Sequence, residues 1–226
     1  MLHNIDVSPD DLKRAGLTRS TSYELFVLAV SLLSFINIVL FYTPIGPQEL
    51  HVVLIVDWLT SLVFLGDFLL RWGTASNKHD YFFHNYGWSD MLAAVPVTAF
   101  NLLRIFRVLK FFRAVRYIGF RGLFKLMRNK PSDTALYSIF FMILLLLEFG
   151  SIGVLLAEQH APGANIKTAS DAIWWVFVSI TTVGYGDYFP VSNAGRLVGV
   201  LTISVGIGLF GVVTGYLSKI FLRERS

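Results

Sequence analysis

Long, nearly uncharged apolar blocks constrain this chain more than any other feature. A helix that crosses a bilayer needs about 20 mostly apolar residues. Six blocks approach or reach that length, at 23–42, 52–72, 86–100, 102–120, 135–157 and 197–222. Only 15% of the 226 residues are charged and 54% are hydrophobic, which leaves too little charge to cover a soluble domain. We therefore predict an all-α, multi-pass membrane protein.

The 19 Lys and Arg residues predict how the six blocks are oriented. If the spans alternate in direction, twelve cations fall on one side and only Lys167 and Arg196 on the other. Loops rich in Lys and Arg face the cytoplasm, so we expect both termini there. The net charge of +4 suits loops beside anionic lipid. We expect a lipid bilayer as the environment and no nucleic acid as a partner.

Two compositional features exclude other classes. The chain has no cysteine, which rules out disulfides, thiolate metal sites and cysteine nucleophiles. The first 20 residues are polar and lack the apolar core of a signal peptide, so we expect no cleavable leader.

A seventh apolar stretch, 171–181, has about 11 residues and is too short to span a membrane, so we predict a re-entrant pore helix. The sequence Thr-Thr-Val-Gly-Tyr-Gly-Asp follows at 181–187, on the side opposite the termini. A glycine-rich turn alone does not explain the short helix before it. Successive rings of backbone carbonyls can replace the water around K+, and Gly184 and Gly186 permit the backbone angles required. The predicted filter, 182–186, consists of Thr182, Val183, Gly184, Tyr185 and Gly186.

This heptapeptide resembles the signature of the potassium channel family at every position. The resemblance implies a homotetramer that closes one filter, with K+ as the permeant ion and no cofactor. Trp174 and Trp175 would form an aromatic cuff with Tyr185, and Asp187 would accept a hydrogen bond from the Trp174 indole. Some simple pore channels carry Glu where this chain has Val178, so the carboxylate that partners the filter Asp is missing here.

Two further pore residues follow from sequence and resemblance. Phe189 would ring the outer mouth, where external quaternary ammonium blockers could bind through a cation–π contact. Gly206 falls at the hinge position of the inner helix in the family, within a block that holds several glycines. Small residues also allow close helix packing, so both interpretations of Gly206 stay open.

The fourth block carries a cation at every third position. These residues are Arg104, Arg107, Lys110, Arg113 and Arg116. Spacing by three spirals around an α-helix but forms one stripe on a 3₁₀ helix. Without counter-charges, five cations in a bilayer would cost on the order of 12–17 kcal/mol. An interfacial amphipathic helix is the alternative, although it would confine its charges to one face.

Acidic residues in neighbouring blocks supply candidate counter-charges. Asp57 and Asp67 lie in the second block, about 15 Å apart along a helix, and Asp90 lies in the third. The stretch 64–71 resembles the charge-transfer centre of the voltage-gated potassium channel family. By that resemblance Phe64 is the aromatic plug, Asp67 and Asp90 are the acids each cation passes, and Asp57 is the outer acid. The five cations would be gating charges, and a static charged helix is the alternative.

The predicted organisation has four parts. A cytoplasmic N-terminal segment covers 1–22, a voltage-sensor domain 23–116, an amphipathic linker helix 117–131, and a pore domain 132–226. By resemblance the linker presses on the last helix. Glu148, in mid-span, has either a hydrogen-bonding or a gating role, and Glu158 is predicted to anchor the pore loop.

We expect no soluble sensing domain and no enzyme activity. A voltage-sensing phosphatase needs a nucleophilic cysteine, and a transporter would show paired broken helices. The function predicted is a voltage-gated, potassium-selective channel, with a voltage-independent leak channel as the nearer alternative. The compact organisation resembles prokaryotic members, so we expect a bacterial or archaeal plasma membrane.

Overall fold

The computed structural model describes residues 21–75, 77–83, 87–95, 106–109, 111–112, 116 and 134–223. The helices with defined bounds are α1 (Thr21–Tyr42), α2 (Pro47–Thr74), α3 (Lys78–Phe83), α4 (Gly87–Ala93), α5 (Thr134–Leu145), α6 (Ser151–Glu158), α7 (Ala169–Ile180) and α8 (Asn193–Arg223). A π-helical turn, Leu146–Gly150, joins α5 to α6.

Among the residues that the structure describes, four helical stretches are long and apolar enough to cross a membrane. They are Ser22–Tyr42, Pro47–Thr74, Leu136–Glu158 and Asn193–Ser218. They correspond to the first, second, fifth and sixth predicted blocks. Pro47 is the first residue of α2, a position where its missing N–H and fixed φ cost nothing. The prediction of an all-α, multi-pass membrane protein is confirmed for the part of the chain described.

The third predicted span, 86–100, is wrong in its extent. Helix α4 ends at Ala93, and the chain then turns through hydrogen bonds from Ala94 N to Met91 O and from Val95 N to Leu92 O. A residue that precedes proline is disfavoured in the α conformation, and Val95 precedes Pro96. The break is therefore encoded locally, and residues 96–100 lie outside the described residues.

Much of the charged fourth block also lies outside the described residues. Those that are described, 106–109, 111–112 and 116, are α-helical. Arg104, Lys110 and Arg113 are not among them. The linker at 117–131 and the first 20 residues are likewise outside this set.

The chain divides into two compact units. The first unit comprises Met1–Val39 and Asp57–Tyr137, and the second comprises Leu40–Val56 and Ser138–Ser226. The apolar core of the first unit includes Val30, Leu33 and Phe64, and that of the second includes Val154 and Ile166. The domain boundaries drawn from the sequence stay a prediction.

Helix α7 occupies almost the residues predicted for the re-entrant helix. Its start is fixed by a capping box, in which Thr168 Oγ1 accepts from Asp171 N at 3.2 Å and Asp171 Oδ2 accepts from Thr168 N at 2.9 Å. This reciprocal pairing satisfies two backbone donors that a helix start leaves open. Helix α7 ends at Ile180, one residue before the Thr181–Asp187 sequence begins.

Candidate functional site

The segment after α7 is tied to the end of that helix by main-chain hydrogen bonds. Thr182 N donates to Ser179 O at 3.1 Å, and Val183 N donates to Val178 O at 3.0 Å. The φ angles of Thr182, Gly184 and Gly186 are 59°, 61° and 76°. Every second residue of the predicted filter is therefore in the left-handed region.

This alternation has a chemical consequence. Backbone segments that alternate in handedness gather their N–H groups on one side, which leaves the carbonyl oxygens available on the other. A Cβ at Gly184 or Gly186 would meet nothing within 4 Å, so glycine is needed there for its backbone angle rather than for space. Thr182 adopts a positive φ without being glycine, a strain of order 1–3 kcal/mol that is typical of functional sites.

Trp174 of α7 contacts this segment at two points. Its ring stacks on Tyr185 with centroids 5.8 Å apart and planes 6° apart. Its Nε1 donates to Asp187 Oδ2 at 2.8 Å, the hydrogen bond that the resemblance implies. Trp175 is buried and lies beside α8, because a Cβ on Gly199 would sit 3.6 Å from its ring.

Glu158 fixes the chain that follows the segment. Its carboxylate accepts hydrogen bonds from Val191 N and Ser192 N, both at 2.9 Å, and from Ser192 Oγ at 2.7 Å. Glu158 therefore anchors the chain at 191–192, as the sequence predicted; that this loop belongs to a pore stays a prediction. Asp171 plays a comparable part at the other side of the loop. Its partial burial tends to raise the pKa, but hydrogen bonds from Lys167 N, Thr168 and Tyr188 hold the pKa below its usual value.

Three other residues that the sequence singled out, Gly206, Glu148 and Phe189, differ in their surroundings. A Cβ on Gly206 would lie 2.8 Å from the Cα of Ile180, so α8 approaches the end of α7 closely enough to require glycine there. Its role as a hinge stays a prediction. Glu148 is fully buried within the π-helical turn, and that turn is a feature the sequence did not reveal. Phe189 is exposed.

In the first unit, Arg107 is completely buried. Its Nη1 donates to Asp57 Oδ1 at 2.7 Å and to Ser34 Oγ at 3.3 Å. Its Nη2 donates to Ser61 Oγ at 2.7 Å and to Val95 O at 2.8 Å. Its Nε donates to Ala93 O at 2.7 Å.

All five donors of the Arg107 guanidinium therefore have partners. The group also lies over the Phe64 ring, 5.4 Å from the centroid, a distance at which cation–π attraction contributes. Two of its acceptors are carbonyls at the end of α4, where the helix dipole favours a cation. They are available because the helix stops before Pro96.

A second buried cation lies on α2. Arg71 Nη2 pairs with Glu24 Oε2 at 2.6 Å, and its Nε pairs with Asp67 Oδ1 at 2.8 Å. Tyr23 donates to the same Asp67 oxygen at 2.7 Å. Arg71 is one of the twelve cations that the sequence assigned to the cytoplasmic side, there taken to follow the second block. That placement is wrong because Arg71 lies inside α2 and is buried. Glu24 was missed, although an acid near the start of an apolar helix is a usable signal.

Several predicted sensor residues lie in the part of the chain that the structure describes. Asp57, Phe64 and Arg107 form one cluster. Asp67 accepts from Arg71 and Tyr23, and Asp90 accepts from Tyr81 Oη at 3.0 Å. Burial and the adjacent Asp90 carboxylate raise the pKa of Tyr81, so its hydroxyl keeps the proton that it donates.

Comparison with known proteins finds similarity to ion channels. Residues 135–223 match the family model described as "Ion channel". The chain is 32% identical over 87 residues to the "Voltage-gated potassium channel" of Aeropyrum pernix, which covers 38% of this chain and 30% of that protein. It is 36% identical over 106 residues to the "Calcium-gated potassium channel TvoK" of Thermoplasma volcanium, with 47% and 30% covered.

A longer match is to the mouse "Voltage-gated potassium channel regulatory subunit KCNG3", at 28% identity over 138 residues, with 58% of this chain and 30% of that protein covered. The chain therefore matches about 30% of the length of each of these relatives. The matches relate this chain to ion channels over 135–223, and the relatives named here are potassium channels or a channel subunit. The matched family and these relatives are ion-channel proteins and not enzymes, and the apolar helices of this chain are those of a multi-pass membrane protein.

Proposed function

We propose that the protein is a voltage-gated, potassium-selective channel that assembles as a homotetramer. Four copies of Thr182–Gly186 would surround one axis and present rings of carbonyls to dehydrated K+. The observation that carries the proposal is the alternating positive φ of Thr182, Gly184 and Gly186 directly after a short pore helix. The names of the relatives support potassium as the permeant ion.

The filter would be held in shape by its surroundings. Trp174 supports it through Tyr185 and Asp187, and Trp175 would complete the predicted aromatic cuff. Gly206 would provide the hinge of the inner helix. At the outer mouth, Phe189 would receive external quaternary ammonium ions, since its ring is exposed.

Voltage would act on the cations of the fourth block. The proposed gating charges are Arg104, Arg107, Lys110, Arg113 and Arg116. If about three charges per subunit cross the field, four subunits gather roughly 28 kcal/mol per 100 mV, which is enough to bias a gate. Asp57 and Phe64 would hold Arg107 in this state, while Asp67 and Asp90 would receive cations in another. The linker at 117–131 would transmit the movement to α8.

One observation favours a second candidate, a voltage-independent potassium channel with a static charged helix. Arg107 has a partner for every donor, and such a complete set of hydrogen bonds also suits a charge that does not move. Recording from one reconstituted preparation at many voltages separates the two candidates. In either case we propose a plasma membrane location, in a prokaryotic cell, with both termini in the cytoplasm.

The proposal is tested by ion flux into liposomes that contain the purified protein. K+-loaded liposomes in low external K+ should accumulate tracer Rb+, and liposomes loaded with Na+ should not. Equal uptake under the two gradients, or uptake no greater than that of protein-free liposomes, would contradict a potassium-selective channel.

A further inference from the structure

Asn165 lies in the loop between α6 and α7, on a stretch that is anchored on both sides. Its neighbours Ala164 and Ile166 are buried, and Ile166 is completely so. Two residues further on, Lys167 N donates to Asp171 Oδ2 at 3.1 Å, next to the capping box that starts α7. The backbone that carries Asn165 is therefore fixed within the second unit.

The Asn165 side chain bridges two main-chain groups in the segment that follows the proposed filter. Its Nδ2 donates to Asp187 O at 2.8 Å, and its Oδ1 accepts from Phe189 N at 3.3 Å. A primary amide presents a donor and an acceptor in one fork, so one side chain can hold two main-chain groups two residues apart. Asp would keep the acceptor but lose the donor, and Ala would lose both.

Asp187 is thereby held at two separate points. Its carboxylate accepts from Trp174 Nε1 at 2.8 Å and from Tyr188 N at 3.1 Å, while its carbonyl accepts from Asn165. At position 178, where some channels of simple architecture have an acid behind the filter, this chain has a buried valine. A valine side chain cannot form a hydrogen bond to Asp187, which increases the part played by Asn165.

We propose that Asn165 is a positioning residue that holds the outer end of the selectivity filter in its conducting conformation. The inference rests on the proposed function of 182–186 as a filter. Without the Asn165 amide, the main chain at 187–189 loses two hydrogen bonds, and the filter reaches a non-conducting conformation more readily. K+ bound in the filter opposes that change by mass action, so raising external K+ should slow it.

The test compares wild type with Asn165→Ala and Asn165→Asp, and uses His160→Ala as the matched control. His160 is an exposed residue of the same loop. Each protein is reconstituted in planar bilayers, and the decay of K+ current is recorded at a constant activating voltage. We expect decay about fivefold faster in Asn165→Ala, the lower end of the effect of losing two hydrogen bonds. Asn165→Asp should be intermediate, and His160→Ala unchanged.

A second readout separates positioning from general destabilisation. Raising external K+ should slow decay in Asn165→Ala more than in wild type, and the reversal potential between K+ and Na+ should stay the same. Decay in Asn165→Ala equal to wild type at low and high K+ would overturn the proposal.

Hydrogen–deuterium exchange tests the role of Asn165 even in a variant that carries no current. Hydrogen–deuterium exchange of the peptide that contains Phe189 should be faster in Asn165→Ala and Asn165→Asp than in His160→Ala. Unchanged exchange would overturn the role of Asn165 even if current is lost. If wild type itself carries no K+-selective current while exchange changes as expected, the proposed function fails. The hold of Asn165 on the main chain at 187–189 then still stands.

Discussion

The two units of the molecule satisfy their polar groups in different ways. In the first unit, the charges of Arg107 and Arg71 meet the side-chain carboxylates of Asp57, Glu24 and Asp67. In the second unit, Glu158 and Asp171 accept hydrogen bonds from main-chain N–H groups of the loops beside the proposed filter.

This difference suits the two functions proposed for the units, voltage sensing in the first and ion selection in the second. Side-chain ion pairs can be exchanged for equivalent pairs with other acids when a helix moves, which suits the proposed sensor. Hydrogen bonds to main-chain groups fix the path of the backbone itself, and the proposed filter depends on that path because its ligands are carbonyls. The comparison predicts that backbone changes act on selectivity in the second unit and that charge changes act on voltage dependence in the first.

The largest expected effect comes from the filter backbone. Gly184→Ala should reduce K+ flux to that of protein-free liposomes, because alanine costs about 1–2 kcal/mol in the left-handed region and displaces a carbonyl ring. Gly163→Ala is the matched control, since Gly163 also has a positive φ, 77°, with nothing within 4 Å of its added Cβ. Tracer flux into liposomes measures both.

The control should assemble and conduct as wild type does, despite the same kind of backbone strain. Normal K+-selective flux in Gly184→Ala would contradict the assignment of 182–186 as the filter.

Next in size is the effect of the Arg107–Asp57 pair on voltage dependence. Replacing it by Arg107→Gln with Asp57→Asn removes a buried ion pair without leaving one charge alone, which would be the more destabilising change. If each subunit moves about three charges, we expect the limiting slope of conductance against voltage to fall by roughly a third. The matched control replaces the other buried cation and one of its two acids, Arg71→Gln with Glu24→Gln; Asp67 then keeps its hydrogen bond from Tyr23.

The control pair lies on α1 and α2, outside the proposed moving helix. It should shift the midpoint voltage and leave the slope unchanged. Equal slopes in the two double variants would contradict the claim that Arg107 moves across the field while Arg71 stays in place.

A smaller effect is expected at the outer mouth. Phe189→Val should weaken block by external tetraethylammonium between roughly twofold and thirtyfold, the range of a cation–π contact. Phe140→Val, at another exposed phenylalanine, is the control and should leave block unchanged. Single-channel current at graded blocker concentrations gives both affinities, and unchanged block in Phe189→Val would exclude an aromatic site there.

The smallest effect concerns Asp171. Its lowered pKa means that the ionised form stabilises the fold above the ordinary aspartate pKa of about 3.9, and that this contribution is lost as pH falls through the lowered value. Asp171→Asn should therefore show a weaker decrease in melting temperature from about pH 5 to pH 3 than wild type. Identical pH profiles would show that Asp171 contributes nothing through its charge.

Local sequence signals predicted the helices and several of the contacts that now define the two sites. Long apolar blocks predicted six spans, of which four are found among the described residues. A cation-bearing block beside an acid-bearing one predicted a pairing of the kind seen between Arg107 and Asp57. The Trp174–Asp187 hydrogen bond followed from the family resemblance. These features depend on residue type and spacing, which a sequence displays directly.

Other features depend on which atoms meet in space, and the sequence did not predict them. Arg71 stands near the end of an apolar block, where a loop cation and a buried one look alike. The carbonyls of Ala93 and Val95 became acceptors for Arg107 only because α4 stops there. The fork that Asn165 makes to Asp187 and Phe189 joins residues 22 and 24 positions apart, and no periodic pattern marks such a contact.

The most direct test of the central claim is the K+ conductance of the reconstituted wild-type protein during a slow voltage ramp. With equal K+ on both sides, a voltage-gated channel should change its open probability steeply within a window of tens of millivolts, since several charges move in each subunit. A K+-selective conductance that stays constant from about −150 to +150 mV, roughly twice the range of resting potentials, would contradict voltage gating and favour the static charged helix.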